Sequence, residues 1–397
     1  MRGFQLRLAV VAEALAGLGV VDVVTLDVGP SKESAIPWPA YIGDAEWYRV
    51  DATRFWGPRA LLGTVAPVRQ AKLRRGTAMG LVTRFLSRSY DLTWCVEARG
   101  YEPLAGLVRR PVVLDLHNVH SAVARSKRDA ALRSASLDAW RGLRADPAYL
   151  PGLPRRWQEW ERAAASRCDA VAVCSDLDRH RLGVPNAVTI PNVYPVPDRP
   201  AGPTRVDDGA FRIGFVGLLA YQPKADAARW LADRIFPLVR REVPSAELHI
   251  IGAGSALLPD LKGRPGIALT DFVPDVAAAL RRVDVVVAPI RFGGGTRFKI
   301  LEAFAHRIPI VATTFGAEGI DAVNGTHLLL RDDAVSFAAA IVRLSADRLL
   351  RERLVGAAVE LFERRYAWGR GLDAVRRLVE GLISSGEDAR AASRARP

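Results

Sequence analysis

Cysteine is scarce in this 397-residue chain: Cys95, Cys168 and Cys174 are odd in number, scattered and without metal-ligand spacing. That excludes a disulfide framework and points to buried free thiols in a reducing compartment. Lysine is nearly as rare, six residues against 50 arginines. No apolar run reaches the roughly 18–20 residues needed to cross a bilayer, which excludes a simple membrane-spanning helix. In the opening segment Arg2 and Arg7 precede an apolar stretch, as in a signal peptide. However, Glu13 interrupts it, its apolar spacing is helical, and a strand-like segment follows directly. It reads as an amphipathic helix of a cytoplasmic protein.

What is present is arginine and alternating secondary structure. The net charge is +13, with 49% apolar and 25% charged residues, the balance of an ordinary globular protein. Two readings of the charge stand: a solvated arginine-rich surface, or attraction to anions such as diphosphates and anionic lipid headgroups. The basic residues are spread along the chain instead of forming one block, which argues against a nucleic-acid partner.

Strand-like apolar runs alternate with helical stretches, the pattern of parallel βαβ units. In the first half the strand candidates are 21–28, 91–97, 111–117, 169–175 and 187–192, with helices near 4–18, 58–88, 121–144 and 155–167. Pro195 to Gly209 is rich in proline and charge and lacks periodicity, so it reads as a linker. The pattern then restarts with strands at 211–219, 246–254, 267–273, 284–290, 308–314 and 327–332. The domains expected are 1–198 and 210–385, joined by a linker at 199–209, with 386–397 a disordered tail. Two doubly wound domains predict a ligand crevice at the carboxyl ends of the strands, where loops and helix N-termini converge.

The segment richest in chemistry is 289–309, PIRFGGGTRFKILEAFAHRIP. A strand ends, Gly293, Gly294 and Gly295 form a flexible loop, and a helix is expected from Thr296 to 306. Such a loop lets backbone N–H groups approach an anion. Arg297 and Lys299 fall in the first helical turn, where the macrodipole disfavours cations, so a bound diphosphate would explain them. Glu302, one turn after Lys299, is placed to accept hydrogen bonds from ribose hydroxyls. The alternative is that Arg297 and Lys299 reach solvent and Glu302 merely pairs with Lys299.

From Phe211 to Ile320 the sequence resembles the nucleotide-binding domain of family-4, or group 1, glycosyltransferases of the GT-B fold. The resemblance rests on Gly217 in FVG, Gly252 and Gly254 in IIGAG, Asp271 to Val273, the run GGGTRFKILEAFA, PIVAT and GAEGI. It implies two Rossmann-like doubly wound parallel-sheet domains facing a cleft. It also implies a retaining transfer from a nucleoside-diphosphate sugar, with Arg297 and Lys299 on the diphosphate, Glu302 on the ribose and the backbone near Val273 at the base. Gly217, Gly252, Gly294, Gly295 and Thr296 complete the implied donor site. Two positions depart from the family. Gly294 stands where most members carry a glutamate, which resembles a glycine-rich GGGTRxKxLEA subgroup. Leu218 replaces an arginine, and Lys224 sits one place from the usual lysine, so Lys224 is either a diphosphate contact or a surface residue.

In the first half, PVVLDLHNVHS (111–121) resembles the strand and loop that carry the family's active-site histidine, which maps onto His117. His120 competes for that role. Ser175 and Asp178 match a family segment and are expected to cap a helix. Gly3 and Arg7 match the end of the family's first glycine-rich loop, on the acceptor side, so the N-terminal sheet is expected to lack its opening strand. No metal-binding motif stands out, and no cofactor or metal is expected. The acceptor is a glycan, a lipid-linked species or a small molecule. The segment 67–89 reads either as an amphipathic helix on the anionic inner face of the membrane or as a basic face over the sheet. Trp38, Trp47 and Trp56 either line an acceptor groove or fill a core. Two other functions fit less of the pattern: a GT-B-fold sugar-nucleotide epimerase and a catalytically impaired nucleotide-sugar-binding relative.

Overall fold

The computed structural model describes residues 3–27, 45–49, 88–108, 110–133, 152–197, 208–294 and 297–394. Residues 58–87 of the expected helix 58–88, residues 67–87 of the basic segment 67–89, Trp38 and Trp56 lie outside the described residues. The chain divides into two compact units. One comprises 1–192, 294–296 and 371–397, and the other 193–293 and 297–370.

The first unit opens with α1 (Gly3–Ala16). Leu6, Arg7, Val10, Val11 and Ala14 are buried, the i, i+4, i+8 stripe that one helical face must present to a core. Strands β1 (Val23–Asp27) and β2 (Ala45–Arg49) pair in parallel as a two-stranded sheet. A separate parallel sheet has the order β3-β4-β5-β6: Thr93–Val96, Val112–Leu116, Ala170–Val173 and Ala187–Thr189. No described strand joins these two sheets. β4 and β5 are buried along their whole length, as interior strands covered on both faces are. Cys95, Cys168 and Cys174 are all free and buried. Burial pushes the Cys95 thiol up to about 12 and Cys174 to about 11, so both stay protonated packing groups.

The second unit is a six-stranded parallel sheet of order β12-β11-β10-β7-β8-β9. Its strands are β7 (Phe211–Val216), β8 (Ala246–Ile251), β9 (Ile267–Thr270), β10 (Val285–Ala288), β11 (Ile310–Ala312) and β12 (Leu329–Leu330). Alternation sets the two faces. Ile213, Phe215, Val285, Val287 and Val311 join one core with Leu231, Ile235, Phe337 and Ile341. Val286, Ala288, Ile310 and Ala312 face the other, built on Ile300, Leu301, Phe304, Leu361 and Phe362. The helix Gln222–Trp230 continues through a π-helical segment, Leu231–Ile235, into Phe236–Glu242. Pro237 accounts for the widened turn, because its ring excludes a normal i−4 hydrogen bond there.

Two boundaries differ from those expected. The last helix runs from Trp368 to Arg394, through the segment read as a disordered tail. Its residues from 371 onward belong to the first unit, not to the domain that precedes them in sequence. A charge-rich helix has the composition of a solvated tail, so its length was not legible from composition.

Candidate donor site

The site in the second unit is built where β7, β10 and the segment after it end. Past β10, Ile290 and Phe292 are buried and the chain turns at Gly293. Gly293 has φ 108°, and a Cβ there would lie 2.6 Å from Pro223 Cγ. Only glycine allows this loop to lie so close to the start of helix Gln222–Trp230. The helix after the loop is Phe298–Ala305, two residues shorter at its start than the spacing predicts. Arg297 therefore sits at the N-cap position, with φ −82° and ψ 44°.

The Arg297 guanidinium is buried, lying 4.8 Å from the centroid of the Phe315 ring and 3.8 Å from Glu318 Oε2. Lys299 Nζ donates to Glu302 Oε2 at 2.6 Å, and Tyr194 Oη donates to Glu302 Oε1 at 3.0 Å. Both oxygens of this buried carboxylate are thus held. The pairing of Glu302 with Lys299 anticipated from the i, i+3 spacing is present.

Lys224 completes the cationic group. Its aliphatic chain lies against Gly217, where a Cβ would stand 3.1 Å from Lys224 Cδ. Burial, then the positive charges of Arg297 and Lys299, push its ammonium down to about 7. Lys224 is half-buried and makes no ion pair among the described residues. With Lys224 protonated, three cations against Glu302 and Glu318 leave a local excess of one positive charge, a state that a phosphate-type anion would favour.

Other expected donor residues have different surroundings. Gly252 has φ 155°, and a Cβ on it would fall 1.6 Å from Gly217 O, so close backbone approach alone requires glycine here. Gly254 has φ 93°, and its N–H donates to Asp271 Oδ1 at 2.9 Å. Val273 is half-buried against the core cluster of Ile300 and Leu301. Gly294 is grouped with the first unit, while Gly295 and Thr296 lie outside the described residues. Tyr194, Phe315 and Glu318 carried no role in the sequence reading. Glu318 lay within a quoted motif, but nothing in the spacing paired it with Arg297.

In the first unit, His117 is buried at the carboxyl end of β4. Its Nε2 is 3.6 Å from Asp115 Oδ2, beyond hydrogen-bond length, and has no hydrogen-bond partner among the described residues. Its ring centroid lies 4.8 Å from that of Phe4. Asp115 is engaged by Arg7, with Nη2 at 2.6 Å and Nε at 2.9 Å. Burial alone would raise the Asp115 pKa, but the adjacent Arg7 pulls it down to about 2. His120 instead pairs with Glu97, Nε2 to Oε2 at 3.1 Å, and stacks on Trp157. Glu97 has φ 61°, a strained value for a non-glycine residue, and its Oε1 accepts from the His117 N–H. Only the backbone of Gly3, the first residue of α1, is described. Ser175 caps the helix Asp176–Leu182 as expected, its Oγ accepting from Asp178 N at 3.1 Å.

Comparison with known proteins places this geometry in context. A phosphatidyl-myo-inositol mannosyltransferase of Mycobacterium leprae is 29% identical over 250 residues, 61% of this chain and 60% of that protein. An uncharacterised 44.6 kDa protein of the Klebsiella pneumoniae cps region is 26% identical over 33% of this chain and 36% of that one. The chain thus aligns with less than two thirds of the length of either. The sucrose-phosphate synthase of Thermosynechococcus elongatus superposes with a TM-score of 0.66, at 18% identity, over 94% of this chain and 92% of that one. Anabaena HepE, solved with UDP and glucose, gives 0.56 at 14% identity, over 87% of each chain. These likenesses, with the two parallel-sheet α/β units, give the GT-B fold. Residues 210–347, nearly all of them in the second unit, match the family model described as glycosyl transferases group 1.

Proposed function

We propose that the chain is a retaining glycosyltransferase of the glycine-rich family-4 subgroup, moving a sugar from a nucleoside-diphosphate sugar to a glycan, lipid-linked or small-molecule acceptor. The observation that carries this reading is the cluster of Lys224, Arg297 and Lys299, in which burial, and then the two neighbouring positive charges, lower the Lys224 ammonium to about 7. Such a cluster is costly without an anion and favourable with one. The likeness to a mannosyltransferase and to a UDP- and glucose-bound protein supports a nucleotide sugar as that anion.

In the proposed reaction the bond between the sugar's anomeric carbon and the diphosphate oxygen breaks, and its electron pair leaves with the diphosphate. The acceptor oxygen bonds to that carbon, and its proton passes to the departing phosphate. Lys224, Arg297 and Lys299 stabilise the negative charge that develops on the leaving group, so neither a metal nor a cofactor is invoked. Arginine suits a planar contact to two oxygens, whereas lysine acts as a point charge. Glu302 binds the donor ribose, with Gly217 shaping the floor beneath Lys224. On the first unit, His117 contacts a hydroxyl of a sugar substrate through its Nε2, which has no hydrogen-bond partner among the described residues. Cytoplasmic placement, with or without attachment to the inner membrane face, belongs to the same proposal; no described helix is long and apolar enough to cross a membrane.

Incubation with a panel of nucleotide sugars and candidate acceptors tests it. Acceptor-dependent release of nucleoside diphosphate, with the donor's anomeric configuration kept in the product, is the expected result. Interconversion of the sugar would indicate an epimerase, and binding without turnover a catalytically impaired relative.

A further inference from the structure

We infer that Tyr194 is a positioning residue for donor recognition, fixing the Glu302 carboxylate in the orientation that receives the ribose hydroxyls. This rests on the ribose assignment of Glu302 proposed above.

Tyr194 lies outside every motif of the donor site, in the segment that follows β6, yet three contacts hold it beside Glu302. Its N–H donates to Tyr366 O at 2.9 Å, and it forms an isolated bridge with Ala367, which fixes its backbone. Its ring meets His306 edge to face at 6.1 Å. Its hydroxyl donates to Glu302 Oε1 at 3.0 Å.

Glu302 therefore has two holders of different kinds. Lys299 takes Oε2 from the same helix, but a diphosphate would compete for that ammonium. Once Lys299 turns toward phosphate, Tyr194 is the remaining hydrogen bond on the carboxylate among those described. His306 does not substitute for it: no imidazole hydrogen bond to Glu302 is among those described, and its Nδ1 has no hydrogen-bond partner among the described residues. Burial and the nearby Glu302 carboxylate push the Tyr194 phenol well above its ordinary range, so it stays a donor at any physiological pH. A carboxylate accepts at four lone-pair sites, so one bond from Tyr194 sets its plane and leaves the others for hydroxyls.

Tyr194→Phe keeps the ring and removes only the hydroxyl. Binding is measured by calorimetry for UDP and GDP, for the dideoxyribose analogue of whichever binds better, and for inorganic pyrophosphate. Wild type is expected to favour the ribose nucleotide by about tenfold, the worth of a hydrogen bond to a charged group. Tyr194→Phe should bring that ratio close to one while leaving pyrophosphate affinity unchanged. A general structural defect would weaken pyrophosphate as well, and that result overturns the inference. If wild type discriminates and Tyr194→Phe discriminates equally, the positioning role is wrong and the ribose assignment survives. If wild type shows no preference for ribose, the assignment of Glu302 itself is wrong and Tyr194 falls with it.

Discussion

Lys224 and Gly217 fit together: the lysine's methylenes cross the space that any side chain at residue 217 would fill, with Cδ 3.1 Å from the position of a Cβ. The glycine thus serves the site by leaving room for the lysine. Gly217→Val should displace Lys224 and weaken inorganic pyrophosphate binding by about tenfold, the scale of one lost charged hydrogen bond. Unchanged affinity, measured by calorimetry, would show that Lys224 does not contact the anion.

The pKa of Lys224 gives a signed pH effect. Its folded value of about 7 lies below the ordinary 10.5, so the unfolded chain binds more protons between these values. Stability should therefore rise with pH across that window, compared with Lys224→Met, in thermal melts. Anion binding favours the charged form and raises the pKa. At pH 8 wild type should take up a proton with UDP, seen as a buffer-dependent enthalpy that Lys224→Met lacks.

Arg297→Ala and Lys299→Ala should each lower kcat by about 10²-fold or more, as loss of a charge-stabilising donor does. Steady-state rates near wild type in both variants would remove the diphosphate assignment.

The Arg7–Asp115 pair is buried on both sides, with 2% and 0% side-chain exposure, so removing one partner strands a charge. Arg7→Ala should cost about 3–5 kcal/mol in denaturant unfolding. Asp115→Asn combined with Arg7→Met should recover much of that loss, since a desolvated pair repays its own burial poorly.

Gly252→Ala should destabilise by about 1–3 kcal/mol, the cost of forcing an atom into a packed interior. Its Cβ would meet the Gly217 carbonyl, so a melting temperature within error of wild type would contradict this backbone packing.

Much of the second unit was legible because its strands are buried apolar runs and its glycines mark tight approaches. Gly252 has a second reason to be glycine that its motif does not show. The resemblance assigns it to the donor, and the fold adds that a Cβ there would meet the Gly217 carbonyl. Lys224 is less legible. As an isolated lysine it reads equally well as a surface residue, and only the fold shows that Arg297 and Lys299 are close enough to act on its charge.

Local spacing by itself determined that Lys299 and Glu302 share a helix face, that Ser175 caps a helix, and that parallel strands alternate with helices. Those follow from helical and strand periodicities, which need no distant partner. The tertiary structure alone decided that Tyr194 holds Glu302 across 108 residues of chain, that Glu318 answers Arg297, and that Arg7 neutralises Asp115. Each joins groups far apart in sequence, and no local periodicity records which loops a sheet brings together at the ends of its strands.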